Sequence, residues 1–253
     1  MYPLYHHLDH AGGDEFAFTD GVPTALNAAV LDGRLDVSAM SSIEFARNSE
    51  TLRLLPVASI SAAGAVDSIQ LFSNVPFEDV RSVAVTGHSA TSVALLQVLL
   101  GPEPVFGPLE TAPADALESV DGVLLIGDRA LEGVRAPFSA FATDLGARWA
   151  DLTGVPMVFG VWAVRRDLPD ALEPTLDRLV ELLTEAQAEY ARDPGRVVRA
   201  AAGRFPFPEP FIAGYFARLR YGFGPDERRG LERFLRLARS AGELERLPAL
   251  AAA

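Results

Sequence analysis

Apolar positions in the first third of the chain recur at two spacings, one typical of helices and one typical of strands. Residues 23–31 have the helical spacing, begin with proline and are followed closely by a glycine. Shorter β-rich runs follow at 35–40, 57–61 and 66–72. A helix that leads into a strand is half of an α/β unit, so this part of the chain predicts an α/β fold.

From residue 82 onward the alternation becomes regular. A strand at 82–86 leads through a turn into a helix at 90–100, and another strand follows at 122–126. Strand, helix and strand in this order predict parallel pairing, because a crossover helix returns the chain to the same edge of the sheet.

The last third of the chain has a different pattern. A long β-rich run occupies 156–165, and after it the apolar residues keep a helical spacing. The spacing predicts helices near 169–192, 211–219 and 231–238.

The pattern therefore changes near Phe77 and again near Arg165. We interpret these changes as the two ends of an inserted lobe. Residues 1–77 and 166–253 would form a discontinuous outer α/β lobe, and residues 78–165 an inserted α/β lobe. Two strands that cross between lobes make a hinge, and a hinge between α/β lobes makes a ligand cleft.

Composition excludes several kinds of chemistry. The 253 residues contain no cysteine and no lysine, which excludes disulfides, thiolate nucleophiles, Cys-based zinc sites and Schiff-base lysines. A formal net charge of −12 argues against a nucleic-acid partner. The first ten residues lack the basic and apolar regions of a signal peptide, and the apolar runs are too short to span a bilayer. We therefore expect a cytoplasmic protein with no membrane or nucleic-acid partner.

Small hydroxyl residues cluster where the predicted strand at 82–86 passes into the predicted helix at 90–100. Thr91 and Ser92 lie in the first turn of that helix, where free N–H groups and the helix dipole favour an anion. Both are candidates for binding a carboxylate or a phosphate. The alternative is that Ser89 or Thr91 only caps the helix.

Three further polar residues lie on or next to predicted strands, and the ends of strands are where open α/β sheets bind ligands. Ser42 follows the run at 35–40, Asp128 follows the strand at 122–126, and Ser68 lies between apolar strand residues. Each has a structural alternative. Ser42 and Asp128 could cap the helices that follow them, and Ser68 could face the edge of a sheet.

The four histidines are weaker candidates. His6, His7 and His10 have no further ligands at metal-site spacing, and we interpret them as surface residues. His88 lies in the turn before a helix and is interpreted as solvent-exposed. Motifs of serine hydrolases, zinc peptidases and dinucleotide-binding proteins are absent from the sequence, so we expect no metal and no organic cofactor.

Five stretches carry a more specific signal: DGRLDVSAMSSIEFARN, GAVDSIQLFS, ATSVALLQVLL, GVLLIGDRAL and DLGARWADLTGVPMVFGVWAVRRD. The most specific pieces are LIGD-x-AL and DLG-x-x-W-x-x-x-TG-x-P-x-x-F-x-x-W. Taken together, the set resembles the chorismate dehydratase family of the futalosine route to menaquinone. The order and spacing of the stretches match that family over nearly the whole chain.

The resemblance implies a two-lobed fold like the type II periplasmic binding proteins, with a central cleft, used as a cytoplasmic carbon–oxygen lyase. The implied reaction removes water from chorismate to give 3-[(1-carboxyvinyl)oxy]benzoate, without a cofactor. The residues that the resemblance implies for substrate binding in the cleft are Ser42, Ser68, Thr91, Ser92 and Asp128.

The N-terminus departs from the family pattern. Family members resemble one another in a leading strand that ends in an asparagine, shortly before a P-L-Y segment, and that asparagine is thought to act in the site. Here Pro3-Leu4-Tyr5 stands almost at the start of the sequence. We expect the strand and the asparagine to be encoded ahead of Met1, and the sequence leaves the catalytic residue unassigned.

Two alternatives stay open. One is the 1,4-dihydroxy-6-naphthoate synthase that acts later in the same pathway, although the LIGD-x-AL and W-x-x-x-TG-x-P segments fit the dehydratase better. The other is a non-catalytic solute-binding protein for a small carboxylate.

Overall fold

The computed structural model describes residues 1–11, 13–21, 23–87 and 90–250, and its strands form two separate sheets. The strands are β1 (Val37–Ser41), β2 (Leu52–Ala62), β3 (Ile69–Ser73), β4 (Ser82–Val85), β5 (Val105–Pro108), β6 (Gly122–Ile126), β7 (Phe141–Asp144), β8 (Met157–Arg165) and β9 (Arg220–Gly222). The α/β class predicted from the sequence is therefore confirmed.

Helices cover the two sheets. They are α1 (Tyr2–Ala11), α2 (Pro23–Leu31), α3 (Ser42–Arg47), α4 (Ala90–Leu100), α5 (Pro113–Ala116), α6 (Gly127–Arg135), α7 (Leu145–Thr153), α8 (Glu173–Arg192), α9 (Pro194–Ala202), α10 (Glu209–Arg218) and α11 (Pro225–Ser240). Within the described ranges, none of them is long and apolar enough to cross a membrane.

The outer sheet has the strand order β1-β8-β2-β9. Strand β8 lies inside this sheet, and Val158, Val161 and Val164 are fully buried, which agrees with its nearly continuous apolar sequence. Both β1 and β2 pair with β8 in antiparallel fashion, so they run parallel to each other. As a consequence, β1 and β2 end at the same edge of the sheet.

The inserted sheet has the strand order β5-β4-β6-β3-β7. Strand β4 pairs in parallel with β5 and β6, as the sequence predicted for this region, whereas β3 is antiparallel to β6 and β7. Ile69 at the start of β3 lies opposite Ile126 at the end of β6. The ends of β4 and β6 and the beginning of β3 therefore meet at one edge.

The sheets divide the chain at other positions than the pattern suggested. Strand β3 belongs to the inserted sheet and β8 to the outer sheet, so the chain crosses within 63–68 and again within 145–156. The predicted boundaries at 77/78 and 165/166 come after these crossings. The reason is physical: a buried apolar run identifies a strand but carries no information about which sheet it joins.

Helix α11 packs closely on the outer sheet because of a glycine. A Cβ atom added at Gly230 would stand 2.0 Å from the carbonyl oxygen of Pro156, just ahead of β8. Trp149 of α7 is fully buried and packs edge-on against Phe234 of α11, with ring centroids 6.0 Å apart. The close approach at Gly230 thus allows α11 to seal the core beside the second crossing.

We expect Gly230→Ala to lower the free energy of unfolding by about 2 kcal/mol, because the added methyl group pushes α11 away from Pro156. The measurement is urea unfolding followed by circular dichroism. Gly214→Ala is the matched control in α10, since a Cβ there meets nothing within 4 Å. The control should be neutral or more stable by up to about 1 kcal/mol through helix propensity. Equal stability of the two variants would contradict the packing argument.

Candidate functional site

The two sheets present their strand ends to each other, and we call this region the interlobe edge. It comprises the carboxyl ends of β1 and β2 in the outer sheet and those of β4 and β6 in the inserted sheet. All five residues predicted to bind substrate lie here: Ser42 after β1, Ser68 just before β3, Thr91 and Ser92 in the first turn of α4, and Asp128 in the first turn of α6. Their binding role stays a prediction.

Thr91 connects the two lobes, whereas Ser42 binds within the outer lobe. The backbone N–H of Ile43 donates to Thr91 Oγ1 at 3.1 Å, and Ser42 Oγ donates to the carbonyl oxygen of Val158 at 2.7 Å. Both side chains are buried, and the hydroxyl hydrogen of Ser42 is already used by Val158. Thr91 Oγ1 only accepts in this contact. Among the described residues nothing accepts its hydroxyl hydrogen, which is therefore available to a ligand.

The alternative that Ser42, Thr91 or Asp128 only caps the helix that follows it is not supported by the described residues. The N-cap of α3 is Ser41, whose side chain makes no capping bond, and Thr91 lies inside α4. The N-cap of α6 is Ile126, so Asp128 does not cap that helix. Ser92 is buried within α4. His88 and Ser89 lie outside the described residues.

Ser68 and Asp128 form a second group at the same edge. Tyr215 of α10 donates its hydroxyl to Ser68 Oγ at 3.1 Å, and the N–H of Gly127 donates to the Ser68 carbonyl at 2.8 Å. Burial raises the pKa of Tyr215, and the nearby charges of Asp128 and Asp67 act in the same direction. The phenol therefore stays protonated and remains a hydrogen-bond donor at neutral pH.

The carboxylate of Asp144 organises the first crossing. It accepts hydrogen bonds from the N–H groups of Val66 and Asp67, from Gln70 Nε2 and from the N–H of Ala147, at distances between 2.7 and 3.1 Å. The last of these bonds caps α7. One side chain thus joins the chain before β3, β3 itself and α7.

The glycine of the D-L-G motif brings the two crossings together. A Cβ atom added at Gly146 would stand 2.5 Å from the carbonyl oxygen of Gly64, in the first crossing. Only a glycine allows the beginning of α7 to approach the backbone this closely. Asp144 and Gly146 therefore explain a motif that sequence analysis could identify but not interpret.

Two aspartates near the inserted sheet have pKa values that are shifted in opposite directions. Partial desolvation by neighbouring groups, followed by the charge of Glu132, raises the pKa of the Asp128 carboxyl, although the residue is exposed at the surface. Asp121 has its pKa lowered, mainly because the backbone N–H of Arg81 donates to it at 2.9 Å. Asp128 is thus the carboxylate with the higher affinity for a proton.

The histidines of α1 lie on the side of the outer lobe that packs against α8. His7 Nδ1 stands 2.5 Å from Glu189 Oε2, and the rings of His6 and His10 contact each other edge-on. The interpretation of His7 as a surface residue is therefore wrong, because its side chain is partly buried against α8 and contacts Glu189. Within the ranges that the structure describes, no group of three or more His, Asp or Glu residues could hold a metal ion.

Three residues of the site escaped sequence analysis: Tyr215, Asp144 and Arg218. Arg218 Nε pairs with Asp67 Oδ2 at 2.7 Å, next to the Tyr215–Ser68 bond. Each contact joins positions that are far apart in the chain, so local spacing carries no sign of it. Only the D-L-G motif marked Asp144 as unusual.

Comparison with known proteins places this geometry in context. Residues 1–240 match a family described as menaquinone biosynthesis. The chorismate dehydratase of Thermus thermophilus is 34% identical over 250 residues, which cover 92% of this chain and 89% of that protein. The chorismate dehydratase of Campylobacter jejuni is 33% identical over 143 residues, covering 56% of this chain and 51% of that protein.

Solved structures show the same architecture. A protein of Archaeoglobus fulgidus superposes with a TM-score of 0.72 at 19% identity, covering 95% of this chain and 93% of that one. An alkanesulfonate-binding protein of Xanthomonas axonopodis pv. citri, bound to MOPS, gives 0.66 at 16% identity, covering 90% and 83%. A Candida albicans protein with the generic periplasmic binding protein fold gives 0.66 at 10% identity, covering 97% and 87%. The two-lobed type II fold implied by the sequence resemblance is confirmed.

The opposite pKa shifts of Asp128 and Asp121 predict opposite effects on stability. A carboxyl whose pKa is raised by folding destabilises the folded state above that pKa, and this penalty vanishes below the unfolded value, about 4. Asp128→Asn should therefore raise Tm at about pH 7, and the gain should shrink as the pH falls toward about 4.

Asp121→Asn is the matched control with the opposite sign. Its lowered pKa stabilises the folded state at neutral pH, so the variant should lower Tm there; this loss should persist down to about pH 4, the unfolded value, and shrink only below it. The measurement is thermal unfolding of both variants and the wild type from about pH 7 to about pH 2, which covers both windows. Shifts of Tm in the same direction for both variants would contradict the assignment.

Proposed function

The chain belongs to the menaquinone biosynthesis family, and on that basis we propose that it is a chorismate dehydratase. In this proposal it is a cytoplasmic carbon–oxygen lyase that converts chorismate into 3-[(1-carboxyvinyl)oxy]benzoate and water. The observation that carries the proposal is the 34% identity to a chorismate dehydratase over 92% of the chain. The hydroxyl groups and helix starts at the interlobe edge support it.

The reaction requires few catalytic groups. The ring carbon that bears the enolpyruvyl ether loses its hydrogen as a proton, the electron pair of that C–H bond enters the ring, and the neighbouring carbon releases its hydroxyl group. The hydroxyl leaves as water once it has taken up a proton. Because the ring becomes aromatic, the site has mainly to orient the substrate, assist one proton transfer and exclude water.

The substrate is a dianion, and the protein carries a net charge of −12. Its carboxylates must therefore be held by local donors rather than by the overall field. In the proposal, the first turns of α4 and α6 and the hydroxyls of Thr91, Ser92 and Ser68 supply those donors. Ser42 takes a supporting part, because its hydroxyl hydrogen is bound to Val158.

Asp128 is suited to the proton transfer rather than to carboxylate binding, because the negative charge of its side chain repels the carboxylates of the substrate. Of the three aspartates described at the interlobe edge, Asp67 is paired with Arg218 and Asp144 accepts several N–H groups. Asp128 forms no hydrogen bond or ion pair with the described part of the chain, and its pKa is raised. We assign it the role of proton acceptor.

The second candidate is a binding protein for a small organic acid. The alkanesulfonate-binding protein with the same fold is the observation that favours it. The two functions differ in one respect that can be measured: the enzyme forms a product, whereas the binding protein returns its ligand unchanged.

The first test is incubation of the purified chain with chorismate, followed by mass spectrometry. We expect a product lighter than chorismate by one water, formed well above the background without protein. Binding of chorismate by calorimetry without any product would instead support the binding protein. Absence of both binding and product would overturn the assignment of chorismate as the ligand.

The second test is Asp128→Asn, which keeps the shape of the side chain but removes the basic oxygen. We expect kcat to fall by about 100-fold or more, with KM nearly unchanged, because proton transfer rather than binding is lost. Asp115→Asn is the control, since it removes an exposed carboxylate from α5, and that carboxylate does not affect the pKa of Asp128. A kcat of Asp128→Asn as high as that of the control would exclude Asp128 as the proton acceptor.

A further inference from the structure

The chain makes an unusual turn directly ahead of Ser68. Asp67 has a φ of 57°, the only positive φ of a non-glycine residue within the described ranges. The N–H of Ser68 donates to the carbonyl oxygen of Val66 at 2.6 Å, which closes a γ-turn centred on Asp67. Residues with a side chain rarely adopt this conformation, and such strain concentrates at functional sites.

Two side chains hold this turn from opposite sides. Asp144 accepts the N–H groups of both Val66 and Asp67, and Arg218 of α10 binds the Asp67 carboxylate at 2.7 Å. The turn is therefore fixed by groups from the inserted sheet and from the outer lobe together. The turn therefore determines the position of Ser68, the residue that follows it.

Helix α10 contacts the turn a second time through Tyr215, three residues before Arg218. Tyr215 donates to Ser68 Oγ at 3.1 Å. A phenol is a far better donor than an aliphatic hydroxyl, so the bond runs from Tyr215 to Ser68. The Ser68 hydroxyl thus accepts one hydrogen bond, and its own hydrogen has no acceptor among the described residues.

A hydroxyl that accepts a hydrogen bond becomes a better donor, because the two bonds polarise each other. We infer that Tyr215 is a positioning residue that holds and polarises the Ser68 hydroxyl, so that Ser68 donates to a carboxylate of the ligand at the interlobe edge. This inference deepens the proposed function. It rests on the proposed function in one respect, namely that the group bound by Ser68 is the ring carboxylate of the ligand.

The test compares three variants in chorismate turnover. Tyr215→Phe removes one hydroxyl, and we expect KM to rise roughly tenfold with kcat within about twofold and Tm nearly unchanged. Ser68→Ala should raise KM at least as much, and the double variant should be no worse than Ser68→Ala alone, because Tyr215 acts through Ser68. Tyr221→Phe is the control.

Tyr221 suits this purpose because its buried hydroxyl has no hydrogen-bond partner within the described structure. The control should therefore leave KM and kcat as they are. A general loss of packing in Tyr215→Phe would instead lower Tm and kcat together. Additive effects of Ser68→Ala and Tyr215→Phe on KM would show that Tyr215 does not act through Ser68, and would overturn the inference.

Binding of benzoate, measured by calorimetry, separates this inference from the proposed function. Benzoate carries a ring carboxylate but nothing that can be eliminated. Weaker binding of benzoate by both Ser68→Ala and Tyr215→Phe supports the inference, even if the wild type forms no product from chorismate. Benzoate affinity equal to that of the wild type in Tyr215→Phe, or no binding by the wild type at millimolar benzoate, would overturn it.

Discussion

The carboxylate of Asp144 is the interaction on which the arrangement of the two lobes depends. It accepts N–H groups from the first crossing, from Gln70 in β3 and from the start of α7, which begins the second crossing. Charged hydrogen bonds of this kind are stronger than neutral ones. Both chain crossings are thereby fixed at one point, with Gly146 against Gly64 beside it. The strained turn before Ser68, and with it the geometry of the interlobe edge, follows from this anchor.

Much of the fold could be predicted wherever the apolar pattern was strong. The helices Pro23–Leu31 and Ala90–Leu100 and the strand Gly122–Ile126 have the predicted bounds, because proline, glycine and apolar spacing agree there. Helix Tyr2–Ala11 has no such signals and was not predicted. The antiparallel position of β3 was also beyond prediction, since pairing partners depend on contacts between distant parts of the chain.

The candidate site follows the same division between local and distant information. Strand ends can be predicted from the pattern, and for that reason Thr91, Ser92 and Asp128 were expected just after strand ends, where the structure has them. What each hydroxyl does depends on its partner. Ser42 donates to Val158 and Ser68 accepts from Tyr215, and both partners lie more than 100 positions away. The roles of these serines are therefore a property of the folded chain and have no local sequence signal.

The strand order also determines how the chain can fold as it is synthesised. All five strands of the inserted sheet come from one continuous segment, residues 69–144, whereas β1 and β2 find their central partner only when β8 has been made. On the ribosome the inserted lobe can thus form first, while β1 and β2 of the outer lobe are still unpaired. Until β8 has been made, the backbone groups through which β1 and β2 pair with it have no native strand partner, a stage of exposure that the finished structure does not display.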